Sequence, residues 1–285
     1  PRRKSAPMRY AVMELLCALG EASAKELCYF TGASMPTLRS LAKSGLITLE
    51  QRECYRRAER EEVPPAPPVV LNAEQEAAFQ GLDALAAKGE PAAALLYGVT
   101  GSGKTQVYLR LIQSALARGK GALVLVPEIG LTPQLLRIFA AHFGDGVAVL
   151  HSSLPAGERY DEWKRARDGK ARVVVGTRSA VFAPVQNLGL IILDEEQEGS
   201  YKSENVPRYH AREVAKFRCK QRGALLLLGS ATPSVESMYL ARSGVYHLFT
   251  LRQRYNRRPL PEVLICDLRE ELKAGRGGLV SRPLA

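Results

Sequence analysis

Gly98-Val99-Thr100-Gly101-Ser102-Gly103-Lys104-Thr105 decides the fold. It is a full match to the phosphate-binding P-loop pattern, Gly-x4-Gly-Lys-Thr. Its flanks have the order that phosphate chemistry needs. Ala92 to Tyr97 (AAALLY) predicts a short buried strand, and Gly103 to Arg118 predicts an amphipathic helix. Glycines let the backbone curl so that its N–H groups point into an anion nest, and the helix N-terminus adds a positive field. Gly98, Thr100, Gly101, Ser102 and Gly103 are thereby expected to cradle the phosphates of a nucleotide. Lys104 is expected to reach the β- and γ-phosphates, and the Thr105 hydroxyl to hold Mg²⁺. The alternative is a Gly-rich turn without a ligand; the Lys-Thr pair and both flanks speak against it.

Working outward, strands and helices alternate from Leu71 onward. Candidate strands are 92–97, 122–126, 147–151, 172–176, 189–194, 224–229 and 262–266, several of them continuous Val/Leu/Ile runs. Such runs belong to parallel sheets covered on both faces. Helices are predicted near 73–88, 104–118, 131–143, 156–168, 211–221 and 233–242. The fold class is α/β, a doubly wound P-loop domain.

Leu190-Ile191-Ile192-Leu193-Asp194-Glu195-Glu196-Gln197 is an apolar strand ending in carboxylates. Burial of the strand fixes Asp194 at the C-terminal edge of the sheet, where open α/β sheets bind ligands. There Asp194 is expected to hold Mg²⁺ through water, and Glu195 to polarise an attacking water as general base. An acidic loop after a strand is the alternative. Gly229-Ser230-Ala231-Thr232-Pro233 follows another apolar strand. Its hydroxyls can bond the 194–197 loop and relay the nucleotide state, or simply cap a helix. Ser200-Tyr201-Lys202 and Arg208-Tyr209-His210-Ala211-Arg212 interleave aromatics with cations, a composition that stacks bases and holds phosphates. A solvated basic loop is the alternative.

Residues 8 to about 62 read as a separate small unit. Helices are expected at Met8–Leu19, from a Ser23 cap through Phe30, and from a Ser34 cap over Met35–Lys43. Leu46–Leu49 and Cys54–Arg57 read as two strands. Three helices and a hairpin outline a winged helix whose third helix, with Arg39 and Lys43, would meet phosphates. The unit is only mildly basic, and a protein-binding winged helix is the alternative. Pro64-Pro65-Ala66-Pro67-Pro68 marks a linker, so the expected domains are 1–63, 64–70 and 71–285.

The net charge of +11 favours a polyanionic partner such as nucleic acid. No apolar run reaches the roughly 18 residues needed to span a membrane, and a cytoplasmic protein is expected. The five cysteines have no Cys-x2-Cys pair, so no zinc site is expected within this chain.

Walker A, Asp-Glu-x-x and Ser-Ala-Thr in this order resemble the first motor lobe of a superfamily 2 helicase. Four stretches are similar to the PriA (primosomal protein N′) family of replication-restart helicases: Val126–Gln134, His151–Leu154, Gly176–Pro184 and Asp194–Glu196. The resemblance covers about 71–285 and implies a RecA-like helicase lobe that binds ATP. It implies that Gln75, in Leu71-Asn72-Ala73-Glu74-Gln75, reads the adenine edge; a solvated helix face is the alternative. It implies that Thr177, Arg178 and Ser179 contact DNA backbone phosphates. It implies further that Tyr201, Lys202, Arg208, Tyr209 and Arg212 form a DNA sensor coupled to hydrolysis.

Gln197 stands where the family usually has His, and is expected to bridge to Ser230 or Thr232. By the same resemblance the chain is a fragment lacking a second lobe with its arginine finger. Zinc-binding cysteines are expected outside it. Forked and single-stranded DNA, single-stranded DNA-binding protein and primosome proteins are the implied partners. Two rivals stay open: another superfamily 2 translocase acting on DNA or RNA, and a DNA-structure-binding module whose P-loop is a regulatory switch.

Overall fold

The computed structural model describes residues 6–50 and 63–255 and, near the C-terminus, 266, 267, 269 and 273. The chain divides into two compact units, Pro1–Cys54 and Tyr55–Ala285.

In the first unit, α1 (Pro7–Leu19), α2 (Ala24–Thr31) and α3 (Met35–Lys43) enclose Val12, Leu27, Leu38 and Leu41. The α2 start is a complete capping box: Ser23 Oγ accepts from Glu26 N–H, and the Glu26 carboxylate accepts from Ser23 N–H. Gly32 ends α2 in the left-handed region at φ 68°. Ser34 is extended as a cap should be, but its hydroxyl pairs with Thr37 Oγ1 at 3.1 Å rather than with a backbone N–H. Leu46–Leu49 is turn and irregular backbone, not the expected strand. The strand expected at 54–57 lies outside the described residues, so the wing has no counterpart among those described.

The second unit is a seven-stranded sheet in the order β3-β4-β2-β5-β6-β1-β7, with every neighbouring pair parallel. The strands are β1 (Ala92–Gly98), β2 (Gly121–Leu125), β3 (Val147–Leu150), β4 (Val173–Gly176), β5 (Leu188–Asp194), β6 (Leu225–Ser230) and β7 (His247–Leu251). The helices are α4 (Ala73–Ala87), α5 (Lys104–Ala117), α6 (Pro133–Phe143), α7 (Ala156–Arg167), α8 (Ala211–Arg222) and α9 (Val235–Arg242). Alternate strand residues feed two cores. Leu96, Val124, Leu190, Ile192 and Leu227 lie in one; Leu95, Leu123, Ile191, Leu193 and Leu228 lie in the other. Each fully buried Leu or Ile contributes roughly 1.5–3 kcal/mol, so both faces must be apolar and the strands read as unbroken hydrophobic runs.

β7 was not expected. Its residues run from exposed His247 and Leu248 to buried Leu251 and pair only with β1 at the sheet edge, a weak hydrophobic signal. The strand expected at 262–266 lies, apart from Cys266, outside the described residues. The Pro-rich stretch is not a free linker: Ala66 N–H bonds Ala141 O at 2.9 Å, and Val69 packs on the core. No described helix is long and apolar enough to cross a membrane.

Candidate active site

Strand order brings three loops to one edge. β1, β6 and β5 are neighbours, with Tyr97 opposite Ser230 and Asp194 opposite Gly229. The loops after these strands therefore converge where parallel sheets bind ligands. The loops after β1 and β5 border a cavity of about 480 Å³ lined by the P-loop, Asp194, Glu195, Gln134 and Tyr255.

The P-loop needs its glycines. Gly101 and Gly103 have φ of 78° and 79°, a region that side chains rarely adopt. A Cβ on Gly103 would overlap Gln75 Nε2, and one on Gly98 would lie 2.6 Å from Ser102 Oγ. Lys104 is buried, with Nζ donating to Gly98 O at 3.2 Å and lying 3.7 Å from Glu195 Oε1. The loop is thus curled around its own ammonium, which also faces the carboxylate.

Asp194 ends β5 and accepts a hydrogen bond from Tyr108 Oη at 2.8 Å. Tyr108 lies one helical turn beyond Lys104, on the same face of α5. Gly229 makes room for its hydroxyl, which any Cβ there would displace. Burial raises the Asp194 pKa above the ordinary carboxylate value, and the Tyr108 hydrogen bond opposes that rise. Burial and the Asp194 charge hold the Tyr108 phenol well above its ordinary value.

Glu195 has φ 47°, a left-handed conformation for a residue with a side chain. Such strain costs of order 1–3 kcal/mol and persists where surroundings enforce it. Its Oε2 accepts from Gln197 Nε2 at 3.1 Å. Gln197 Oε1 in turn accepts from Ser230 Oγ at 2.6 Å, and Ser230 Oγ accepts from Thr232 N–H at 2.9 Å. One chain of contacts therefore runs from the loop after β6, through Gln197 and Glu195, to Lys104.

Three expected site residues have other duties. Gln75 is fully buried. Its Oε1 accepts from Asn72 N–H at 2.9 Å and its Nε2 donates to Ser102 O at 2.8 Å, so its amide braces the P-loop rather than facing a base. Tyr201 is also fully buried, its hydroxyl donating to Asp194 O at 2.6 Å and Leu125 O at 3.0 Å; it offers no stacking face. Arg212 is spent on Glu196 at 3.0 Å and on the Ser234 and Ser237 hydroxyls, leaving phosphate contact to other residues.

The remaining basic and aromatic candidates cluster. Arg178 donates to Ser200 O and Lys202 O at 3.1 and 2.6 Å, and its guanidinium lies 6.0 Å from the Tyr209 ring centre. Tyr209 meets Phe182 edge-to-face at 5.0 Å. Ser179, Lys202 and Arg208 are exposed, while Thr177 is buried beside them. Glu196 was not expected to have a role. Its carboxylate is buried, accepting from Ser234 N–H at 2.7 Å, Ser237 Oγ at 2.9 Å and Arg212. The signal that could have found it is the capping Ser234 at the start of α9, where a carboxylate is favoured.

Residues 73–240 match the DEAD/DEAH box helicase family. The chain belongs to that family. It is 48% identical over 259 residues to the replication restart protein PriA of Bacillus subtilis, covering 90% of this chain and 32% of that protein. It is 44% identical over 270 residues to the PriA of Synechocystis, covering 93% and 32%. The chain thus spans about a third of the length of these curated relatives. Among solved structures, RecG bound to a three-way DNA junction aligns with a TM-score of 0.49 at 25% identity, covering 67% of this chain and 26% of RecG.

Proposed function

We propose that this chain is the ATP-binding first lobe of a 3′→5′ DNA helicase that restarts replication at stalled forks and takes part in primosome assembly. The observation that carries this reading is the P-loop ammonium of Lys104 set 3.7 Å from Glu195, with Asp194 beside it on the same sheet edge. Identities of 48% and 44% to proteins named for replication restart support the biological setting.

The nest at 98–103 binds the triphosphate, and Lys104 neutralises the β- and γ-phosphates. Thr105 Oγ and Asp194 fit a Mg²⁺ ion, which takes one or two protein ligands plus substrate phosphates; among the described residues no cluster of three or more His, Cys, Asp or Glu could hold a metal by itself. When bound, the ion neutralises charge developing on the transferred phosphoryl group. Glu195, held out of the strand direction by its left-handed backbone, takes the proton of the attacking water. Gln197 keeps that carboxylate oriented.

Arg178, Ser179, Lys202, Arg208 and Tyr209 make the DNA track, with Tyr209 offering the stacking face. Thr177 sets the turn that presents them. A cytoplasmic location goes with chromosomal DNA as the substrate. Single-stranded DNA-binding protein and primosome proteins are the partners that the sequence resemblance implies, and by the same resemblance zinc belongs to parts of a longer protein outside this sequence.

The test uses the longest natural protein that carries this sequence. Lys104→Ala should weaken Mg²⁺-ATP binding at least about 10-fold, because the ammonium touches phosphate in the ground state. Glu195→Gln should leave binding within about 3-fold and abolish DNA-stimulated hydrolysis, because the carboxylate acts on water. Equal loss of binding in both variants would refute these roles.

A further inference from the structure

The segment after β7 is laced onto the P-loop. Val99 N–H donates to Leu251 O at 3.2 Å, and Tyr255 N–H donates to Gly101 O at 2.8 Å. Between these points, the Arg252 and Gln253 N–H groups share one oxygen of Glu74 at 3.0 and 3.1 Å. Four backbone N–H groups thus fix a short strap across the start of α4 and the phosphate loop.

The strap carries a ring to the cavity. Tyr255 is the one aromatic among the described residues that line it, and it is 54% exposed. Its Cδ2 lies 3.5 Å from where a Cβ on Gly103 would stand, so the ring packs beside the α5 N-terminus. That is the side of the loop where Gln75 sits, with both ends of its amide engaged by Asn72 N–H and Ser102 O.

We propose that the Arg252–Tyr255 strap forms the base-binding side of the nucleotide site, with the Tyr255 ring stacking on the base. This rests on the phosphate-binding reading of the P-loop. The ring is suited to the task because it is exposed toward the cavity while its backbone is pinned. Little ordering is then lost on binding, the condition under which stacking contributes most. Every base has a π-face, so stacking supplies affinity for nucleosides in general.

The experiment measures Mg²⁺-ATP and Mg²⁺-tripolyphosphate binding by calorimetry to this chain and to its Tyr255→Ala and Tyr255→Phe variants. Tripolyphosphate probes the nest alone; ATP adds ribose and base. Tyr255→Ala should weaken ATP about 10-fold and leave tripolyphosphate within about 2-fold, while Tyr255→Phe keeps both near wild type. Unchanged ATP affinity in Tyr255→Ala overturns the proposal. So does an equal fall for both ligands, which makes the ring a brace for the loop. Wild-type ATP binding no tighter than tripolyphosphate overturns the base site alone. Binding of neither ligand by wild type overturns the phosphate reading itself.

Discussion

Arg212→Met should destabilise the α/β unit by about 3 kcal/mol. The substitution keeps the aliphatic stem and removes the guanidinium. Glu196 is then left as a buried carboxylate without its cation: its side chain is 0% exposed, and Arg212 is 18% exposed. Breaking a buried ion pair on one side costs about 3–5 kcal/mol. The lower end applies here, because Ser234 N–H at 2.7 Å, Ser234 Oγ at 3.2 Å and Ser237 Oγ at 2.9 Å still donate to the carboxylate. The N-terminus of α9 adds about 0.3–1 kcal/mol. The chain has a single tryptophan, Trp163 on α7, so its fluorescence follows this unit and not the N-terminal one. With a urea dependence near 3 kcal/mol per molar, the midpoint should fall by about 1 M. Adding Glu196→Gln should recover more than half of the loss, since a neutral amide needs no cation. A midpoint within about 0.2 M of wild type, or a double variant no better than Arg212→Met, would refute the reasoning.

Two further outcomes are expected. Gly103→Ala should fold, yet bind Mg²⁺-ATP at least about 10-fold more weakly by titration calorimetry, because φ 79° is strained for a side chain and the new Cβ displaces the Gln75 amide; unchanged affinity would remove the nest from the site. Burial pushes the Cys219 thiol from an ordinary 9.0 up to about 12, so above pH 9 the unfolded chain releases a proton that the folded chain keeps. Stability in wild type should then fall relative to Cys219→Ala by about 1.4 kcal/mol per pH unit between pH 9 and 12, checked by urea melts at pH 8, 9 and 10; a constant difference would contradict it.

What could be read from sequence was what local chemistry dictates. The P-loop needs glycines, a lysine and a hydroxyl at fixed spacing, so no tertiary information was required. The strands were legible because both faces are buried, and β5 therefore put Asp194 at the sheet edge as expected. The misplaced site residues share one cause: a polar or aromatic side chain does not announce which side of its own backbone it will occupy. Tyr201 sits among Ser200, Lys202 and Ser203, a stretch that reads as solvated. The single 3-10 turn at Gly199–Tyr201 swings it under the sheet edge, where two carbonyls take its hydroxyl. Arg212 reads as part of a basic loop, but it is the second residue of α8, within reach of Glu196 and the α9 start. Gln75 occupies the N3 position of α4, where its amide caps its own helix. β7 escaped because an edge strand exposed on one side has no long hydrophobic run.

The two residues that left the expected DNA surface, Tyr201 and Arg212, bracket the catalytic candidate Glu195. Tyr201 hydroxyl holds Asp194 O, on the peptide just before Glu195. Arg212 holds the Glu196 side chain just after it, while Glu196 N–H is tied to Gly229 O at 3.1 Å. A left-handed φ of 47° sits between two fixed neighbours, so the strain cannot relax without breaking a buried contact on one side or the other. Tyr201 and Arg212 are also the entry and exit of the 202–210 segment that carries Arg208 and Tyr209. Under the proposed function, a shift of that segment on engaging single-stranded DNA would reach the Glu195 backbone from both directions. That path would run through part-buried hydrogen bonds of 2.6 and 3.0 Å rather than along the chain. Under the proposed function, this makes Tyr201 and Arg212 the positioning residues of the sensor, and leaves Tyr209, Arg208 and Arg178 to make the contact.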